Sequence, residues 1–304
     1  MKSDMLFSII IVHWNTLALT TRCVESIYEK NKSNFEIILV DNGSTDGSGF
    51  RLQEKFPRLV LIRHERSRGY AAANNDGIRK ARGEFILLMN SDAFMKSQDP
   101  LPQIERTFLD YPDAGIIGGL LLFPDGKAQA CGRSFLTFKQ LVKQQLMFCA
   151  TFAPTHIPDR PVITDYVDGA FLGTKRSVID KIGLLNEEYD MYAEDMDWCL
   201  RAWRCGYQVM VQPLIEITHL RGGTSRFRFA DVLYRNAISN CRFIRRFQSE
   251  RHARLSYDIF LLGMLMRIPL SCWRRSPFIR DYFHAFWRCL RMRRNLNSVL
   301  RCSV

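Results

Sequence analysis

The sequence predicts an α/β fold with a mostly parallel central sheet flanked by helices, followed by a basic, helical C-terminal extension. Three observations predict it. Short β-branched runs alternate with segments of helical periodicity through the first hundred residues, the pattern of successive βαβ units. Polar clusters follow those runs at their carboxyl ends, the edge at which such sheets bind ligands. The charge balance then changes near residue 225: from Arg221 onward there are 18 arginines, no lysine and four acids, whereas the first 220 residues carry 25 bases against 27 acids.

Phe7–Val12 is a continuous apolar run, the pattern of a strand covered on both faces. Residues 17–30 read as a helix with Leu17, Cys23, Val24 and Ile27 inward. A second strand is expected at Phe35–Val40, ending in the turn chemistry of Asp41-Asn42-Gly43-Ser44. A helix near 48–56 and a strand at Leu59–Arg63 come next. Ala71–Arg82 reads as a helix stopped by Gly83, and Glu84–Met89 as a strand ending in Asn90-Ser91-Asp92. Further on, the expected elements are a helix from Pro100 to Tyr111 and a strand over Ala114–Phe123 with a turn at Pro124–Lys127. A partly mobile segment is expected over 135–160, a strand over Asp165–Thr174, and a short helix stopped by Gly183. The next helix, 196–205, carries Met196, Leu200 and Trp203 as its apolar stripe, and strands at Tyr207–Val211 and Ile215–Thr218 follow. The expected domains are 1–225 and 226–304.

Apolar residues make up 47% and charged residues 24%, a globular composition that excludes disordered and fibrous classes. Nine cysteines, an odd number with no C-x-x-C pair, give no zinc spacing and read as reduced thiols of a cytoplasmic protein. Met5–Val12 lacks a cleavage site and reads as a strand, not a signal peptide. No run reaches the roughly 20 apolar residues of a spanning helix. Ile259–Met266 comes nearest, and Arg267 and Pro269 are expected to break it.

Four positions carry candidate chemistry, each with a plainer alternative. Asp92 is either a turn residue or a carboxylate for a divalent cation, since Mg²⁺ and Mn²⁺ take oxygen ligands and bridge phosphates. Asp195, after Glu194, is either the N-cap of the helix that follows or a fixed base for a hydroxyl proton. His219 is either structural or a ligand beside the flexible Gly222-Gly223-Thr224-Ser225, a loop suited to phosphates. Asp41 is either a turn acid or an acceptor for the imide N–H of uracil or thymine.

The order of these blocks resembles one family. Ser8–Asn15, Glu36–Gly47, Gly69–Ile78 and Tyr192–Arg201 are similar to the corresponding blocks of family 2 inverting glycosyltransferases with the GT-A fold, and the resemblance covers about residues 6–225. Within that family Asp168-Gly169-Ala170, the Glu194-Asp195 helix and His219 with its glycine-rich turn resemble bacterial rhamnosyltransferase-like enzymes of O-antigen and surface polysaccharide synthesis. There are two departures. The usual Asp-x-Asp is Asn90-Ser91-Asp92, and Ser67 stands where an Asn is common.

The resemblance implies a single in-line displacement with inversion. Asp195 is then the base, and Asp92 and His219 hold the Mg²⁺ or Mn²⁺ cofactor. Donor contacts are implied at Asn15, Asp41, Asn42, Asn74, Asn90, Asp92, Gly169 and Glu194. The implied partners are a dTDP- or UDP-sugar and a glycan or lipid-linked glycan acceptor. The basic C-terminal region is expected to lie on the anionic cytoplasmic face of the inner membrane. Two readings compete with this one: a nucleic-acid-binding protein using the arginine-rich region and its interleaved Phe227, Phe229, Phe243 and Phe247, and an inactive scaffold of a polysaccharide complex. A nucleotidyltransferase would need a glycine-rich basic loop after the first strand, where His13-Trp14-Asn15 stands instead.

Overall fold

The computed structural model describes residues 7–129, 132–147, 159–189, 191–222, 229–273, 275–296 and 300. The chain divides into two compact units. The first comprises residues 1–134, 152–187 and 194–224, and the second 135–151, 188–193 and 225–304.

The first unit opens as its hydrophobic pattern dictates. β1 (Phe7–His13), α1 (Leu17–Lys30), β2 (Phe35–Asp41), α2 (Ser48–Lys55), β3 (Val60–Arg63), α3 (Tyr70–Lys80) and β4 (Phe85–Asn90) alternate in sequence. β5 (Ala93–Met95), α4 (Pro100–Asp110), β6 (Ala114–Leu122) and β7 (Gly132–Arg133) follow. β8 (Val162–Ile163), β9 (Tyr166–Val167), β10 (Phe171–Lys175), α6 (Arg176–Ile182), α7 (Glu194–Arg204) and β11 (Gln208–His219) complete it, and α5 (Phe138–Leu146) belongs to the second unit.

The sheet order is β3-β2-β1-β4-β10-β6-β11-β5, with β8 beside β11. β3, β2, β1 and β4 are mutually parallel, as are β6 and β11. β10 runs antiparallel between β4 and β6. Ile9, Ile10, Ile11, Ile37, Ile38 and Leu39 are all buried, because helices cover both faces of the parallel half. Each such side chain contributes about 2–3 kcal/mol on burial.

Register decides where the polar residues land. Val12 pairs with Val40 on one side and Asn90 on the other, and His13 pairs with Asp41. Asp41 in turn pairs with Arg63. The carboxyl ends of four strands therefore form one edge.

Several sequence expectations are corrected. Gly83 does not stop α3, which ends at Lys80 with an extended Ala81. Its role is close approach: a Cβ there would lie 2.7 Å from the backbone of Phe7 and Ser8. The expected strand over Asp165–Thr174 divides into β9 and β10 around Asp168-Gly169-Ala170. The two strands expected at 207–211 and 215–218 form the single β11, which passes Pro213 through a register shift between Gln212 and Glu216. α7 begins at Glu194, and its buried face is Met196, Trp198, Cys199 and Ala202, while Leu200 and Trp203 are half-buried.

The second unit is helical: α8 (Phe229–Phe247), α9 (Glu250–Trp273) and α10 (Ile279–Arg293) pack on one another, and α5 packs on α9. Tyr257 Oη donates to the Cys289 carbonyl at 2.7 Å, and Arg293 forms a forked pair with Asp258 at 2.6 and 2.9 Å. α9 continues through Arg267 and Pro269, which the sequence reading expects to break it. The Arg267 guanidinium donates to the carbonyls of Gln144 and Gln145. Among the described residues α9 is the one helix long and apolar enough to cross a membrane, by length and composition alone. Of the segment expected to be partly mobile, α5 is a helix with a capping box between Thr137 and Gln140, and residues 148–158 lie outside the described residues. The six described cysteines are free thiols.

Candidate functional site

The loops after β1 and β2 lock together first. His13 is buried, with Nδ1 at 2.7 Å from Thr20 Oγ1 and Nε2 at 2.6 Å from Ser48 Oγ. Burial lowers its pKa, so the ring stays neutral and ties β1 to α1 and α2. Asn15 Oδ1 accepts from Thr45 N (3.0 Å), and Asn15 N donates to Ser44 Oγ (3.0 Å). Asp41 is 1% exposed; its Oδ1 accepts from Ser44 N at 2.9 Å and its Oδ2 lies 3.7 Å from Arg63 Nε. The Asn42 amide pins the next loop. Its Oδ1 accepts from Arg68 N (2.9 Å), while Nδ2 donates to Ser67 Oγ (3.2 Å) and the Gly69 carbonyl (3.3 Å).

Gly43 sits at φ 85°, and a Cβ there would lie 2.6 Å from the backbone of Arg66 and Ser67. Gly43→Ala is expected to cost about 2–3 kcal/mol through combined left-handed strain and backbone overlap. The check is a thermal melt; an unchanged midpoint would contradict the tight seating of this loop.

A second group forms around the turn between β9 and β10. Asp195 Oδ2 accepts from Gly169 N at 2.9 Å, and Oδ1 accepts from Met196 N at 2.8 Å. Asp195 is thus inside the first turn of α7 and is not its N-cap, which corrects the capping alternative. Tyr192 and Ala193 are both left-handed, at φ 71° and 68°, so the chain turns into the helix before either acid. The Tyr70 hydroxyl lies 2.8 Å from the Asn90 amide and 3.1 Å from the Gly169 carbonyl. One hydroxyl proton cannot serve both as acceptors. With the Asn90 amide turned so that its N–H₂ donates to Tyr70, the Tyr70 O–H donates to Gly169. Asn74 is buried and donates to the Tyr70 carbonyl at 3.0 Å, so it reaches this group through Tyr70. Asp168 Oδ2 pairs with Arg133 Nη2 at 3.2 Å.

The charges here compete. Burial, and then the Asp168 carboxylate, push Asp195 up to about 6, against the Gly169 and Met196 N–H groups that favour its ionised form. Glu194 is buried and its Oε2 has no hydrogen-bond partner among the described residues. Burial, and then Asp195, raise it well above the usual carboxylate range. Of the two neighbours Glu194 keeps its proton and Asp195 is the one ionised at neutral pH. The Tyr70 phenol is likewise raised by burial and by Glu194, so it remains a donor.

The third group spans the ends of β4 and β11. His219 Nε2 lies 3.5 Å from Asp92 Oδ1, and both side chains are buried. Gln129 Nε2 donates to the carbonyls of His219 (2.6 Å) and Leu122 (3.1 Å), which fixes its amide orientation. Gln129 Oε1 must then accept from His219 Nδ1, 3.2 Å away. With Nδ1 turned to Gln129, His219 Nε2 faces Asp92 Oδ1, so an imidazole nitrogen and a carboxylate oxygen converge on one point. Two ligands of one divalent ion, each roughly 2.1 Å from it, stand about 3–4 Å apart, so the pair fits a metal. Among the described residues no group of three His, Cys, Asp or Glu could hold a metal, so this pair would supply two ligands and leave the rest to substrate and water. Of the glycine-rich turn after it, Gly222 is described, at φ 97°, and residues 223–225 lie outside the described residues.

The sequence-derived positions therefore fall into three groups on the carboxyl edge: Asn15, Asp41 and Asn42; Asn90, Gly169, Glu194 and Asp195; and Asp92 with His219. Tyr70, Arg133 and Gln129 were not singled out by sequence. Tyr70 had a local signal, a hydroxylated aromatic directly after the glycine that opens α3. Arg133 and Gln129 had none, since their partners lie 35 and 90 residues away.

Comparison with known proteins gives the family and the fold. Residues 8–181 match the family described as Glycosyl transferase family 2. An uncharacterized protein, y4gI, of Sinorhizobium fredii is 30% identical over 227 residues, 72% of this chain and 25% of that protein. The O-antigen biosynthesis protein RfbC of Myxococcus xanthus is 26% identical over 239 residues, 72% of this chain and 18% of its own length. The mannosyltransferase PcManGT of Pyrobaculum calidifontis, solved with GDP-Man and Mn²⁺, aligns at TM-score 0.57 and 15% identity over 96% of this chain and 87% of that one. GalNAc-T7, solved with UDP, GalNAc and Mn²⁺, aligns at 0.60 and 16% identity over 80% and 48%. At these identities the structural likeness establishes a shared fold, the GT-A fold. The chain spans a quarter or less of the length of the two sequence relatives named.

Proposed function

The chain belongs to glycosyl transferase family 2, and from that membership we propose that it transfers a sugar from a nucleoside-diphosphate donor to an acceptor hydroxyl, with inversion, during surface polysaccharide assembly. The observation that carries the reading is the Asp195 carboxylate, held by two backbone N–H groups at the ligand edge of the sheet and poised near neutrality. RfbC supports the polysaccharide assignment by its name, and the Mn²⁺ of the two structural relatives supports a divalent cofactor. The resemblance of Asp168-Gly169-Ala170, the Glu194-Asp195 helix and His219 to rhamnosyltransferase-like enzymes supports proposing rhamnose as the sugar, from a dTDP or UDP donor, and a lipid-linked glycan as the acceptor.

In this mechanism Asp195 takes the acceptor proton through a lone pair left free by Gly169 and Met196. The acceptor oxygen forms a bond to the anomeric carbon as the bond from that carbon to the diphosphate breaks on the opposite face, and the electron pair leaves with the nucleoside diphosphate. Asp41 and Asn42 shape the pocket for the base of the donor, with Asn15 holding the loop beside it. Asp92 and His219 would hold Mg²⁺ or Mn²⁺, which when bound neutralises negative charge on the leaving diphosphate. Asn90 and Tyr70 fix the Gly169 turn against which the base is set.

The test is a screen of purified protein with dTDP-, UDP- and GDP-sugars, read as acceptor-dependent release of nucleoside diphosphate; release from none would overturn the proposal. A pH profile adds a sharper expectation. A base works ionised, so kcat/KM should rise with pH, bend near pH 6 and fall about tenfold per unit below it. A flat profile from pH 5 to 8 would contradict Asp195 as the base.

A further inference from the structure

The second unit carries an apolar surface that its own packing does not explain. α9 buries Tyr257, Phe260, Leu261 and Met264 on one side. On the opposite side Leu255, Leu262, Met266 and Trp273 are exposed, Trp273 by 79%. These four are spaced by seven, four and seven residues, so at about 100° per residue they point within roughly 20° of one direction. From Ile259 to Trp273 the one charged residue is Arg267, and its guanidinium is engaged by the Gln144 and Gln145 carbonyls. The outward face of that stretch carries no charge to water.

α10 repeats the theme with charge added. Phe283 and Trp287, one turn apart, are exposed. Arg280, Arg291 and Arg294 lie on the same side of the helix and have no ion-pair partner among the described residues. The acids do not offset this. Asp231, Glu250 and Asp258 are each paired with an arginine, and Asp281 accepts from Ala230 N. Against these four acids stand the 18 arginines of residues 221–304.

We propose that the outward faces of α9 and α10 form a docking surface for an anionic lipid bilayer, with Leu255, Leu262, Met266 and Trp273 entering the acyl boundary and Arg280, Arg291 and Arg294 meeting lipid phosphates. An apolar face free of charge seeks hydrocarbon, tryptophan settles at the headgroup level, and unpaired arginines bind phosphate oxygens. Nucleic acid would satisfy the arginines but would leave the Leu262–Met266–Trp273 face in water. A second copy of this chain would cover that face but would bring like charges together.

The experiment uses the full chain and sedimentation with vesicles of phosphatidylcholine alone or with about 30% phosphatidylglycerol. Binding is expected to the anionic vesicles, weakened by salt. Arg280→Gln/Arg291→Gln/Arg294→Gln should reduce it about a hundredfold, at roughly fivefold per charge. Leu262→Glu/Met266→Glu should abolish it while leaving the thermal melt unchanged, since both residues are exposed. Brominated acyl chains should quench tryptophan fluorescence in the wild type, and the quenching should be lost in Trp273→Phe/Trp287→Phe. Absence of vesicle binding, or equal binding to both vesicle types, would overturn the proposal. So would RNA retention with no vesicle binding, or a dimer that Leu262→Glu/Met266→Glu converts to monomer. Resistance to alkaline carbonate extraction from cell membranes would replace surface docking by a crossing α9 and overturn it as well.

Discussion

Asp195→Asn is expected to lower the transfer rate about a hundredfold or more while the protein still folds and binds nucleoside diphosphate. The substitution keeps size but removes basicity. It also disturbs the hydrogen bonds, because Asp195 accepts from both Gly169 N and Met196 N and an amide offers one oxygen; its NH₂ must face the other N–H. That loss costs about 1 kcal/mol. A second effect opposes it. The folded pKa of Asp195, about 6, lies above the ordinary aspartate value of 3.8, so stability linked to this group is full at low pH and falls as pH rises through that interval. The neutral amide escapes that penalty at pH 7. The melting temperature should therefore move by only a few degrees, and a large loss of rate would report chemistry. Near-wild-type turnover would leave Asp195 a structural residue that fixes the Gly169 turn.

Asp92→Ala and His219→Ala are the other substitutions with large expected effects. Each removes one of two side chains that face each other at 3.5 Å, and each should weaken donor binding in the presence of Mg²⁺ or Mn²⁺ by tenfold or more. Chelator should reduce the wild type to the same low level. Gln129→Leu separates holding from orienting: it leaves both ligands but frees the His219 ring, so metal affinity should fall about tenfold while saturating metal restores the rate. Full activity in excess chelator would exclude the metal role, and unaltered metal affinity in Gln129→Leu would contradict the tautomer assigned to His219.

The parallel half of the sheet was legible because its signals are local. β1 and β2 are runs of Ile, Leu and Val that only a strand covered on both faces can use, and Thr16 and Asn31 bracket α1 within the residues that sequence assigns. What failed depended on distance or on the backbone. β5 is three residues long and exists because β11 pairs with it from more than a hundred positions away. The pattern of β11 is that of two strands because Pro213 interrupts it, and a bulge lets one strand pass the proline. α7 starts two residues before the sequence pattern places it, because the turn is made by left-handed Tyr192 and Ala193, and neither residue type favours that conformation. α9 passes Pro269 because a helix packed along one face tolerates one missing hydrogen bond.

At the site, the acids and His219 stood out because their residue types carry the chemistry. The groups that orient them did not. Gln129 is chemically plain, and only the fold brings it to His219; Arg133 meets Asp168 for the same reason. Asn42 was read as a donor contact, yet its amide groups already hold residues 67–69, which makes it a builder of the pocket wall. Glu194, for which the resemblance implies the same role, is buried with a carboxyl oxygen left unpartnered among the described residues, and burial together with the neighbouring Asp195 carboxylate makes it hold its own proton.

The most direct test of a single displacement assisted by Asp195 is the anomeric configuration of the product. With a donor identified by nucleoside diphosphate release, nuclear magnetic resonance of the newly made glycoside, taken before any equilibration, reads the linkage at the transferred carbon. The configuration opposite to that of the donor is the predicted result. A product that retains the donor configuration would require two displacements or a front-face path, and would contradict the role given to Asp195.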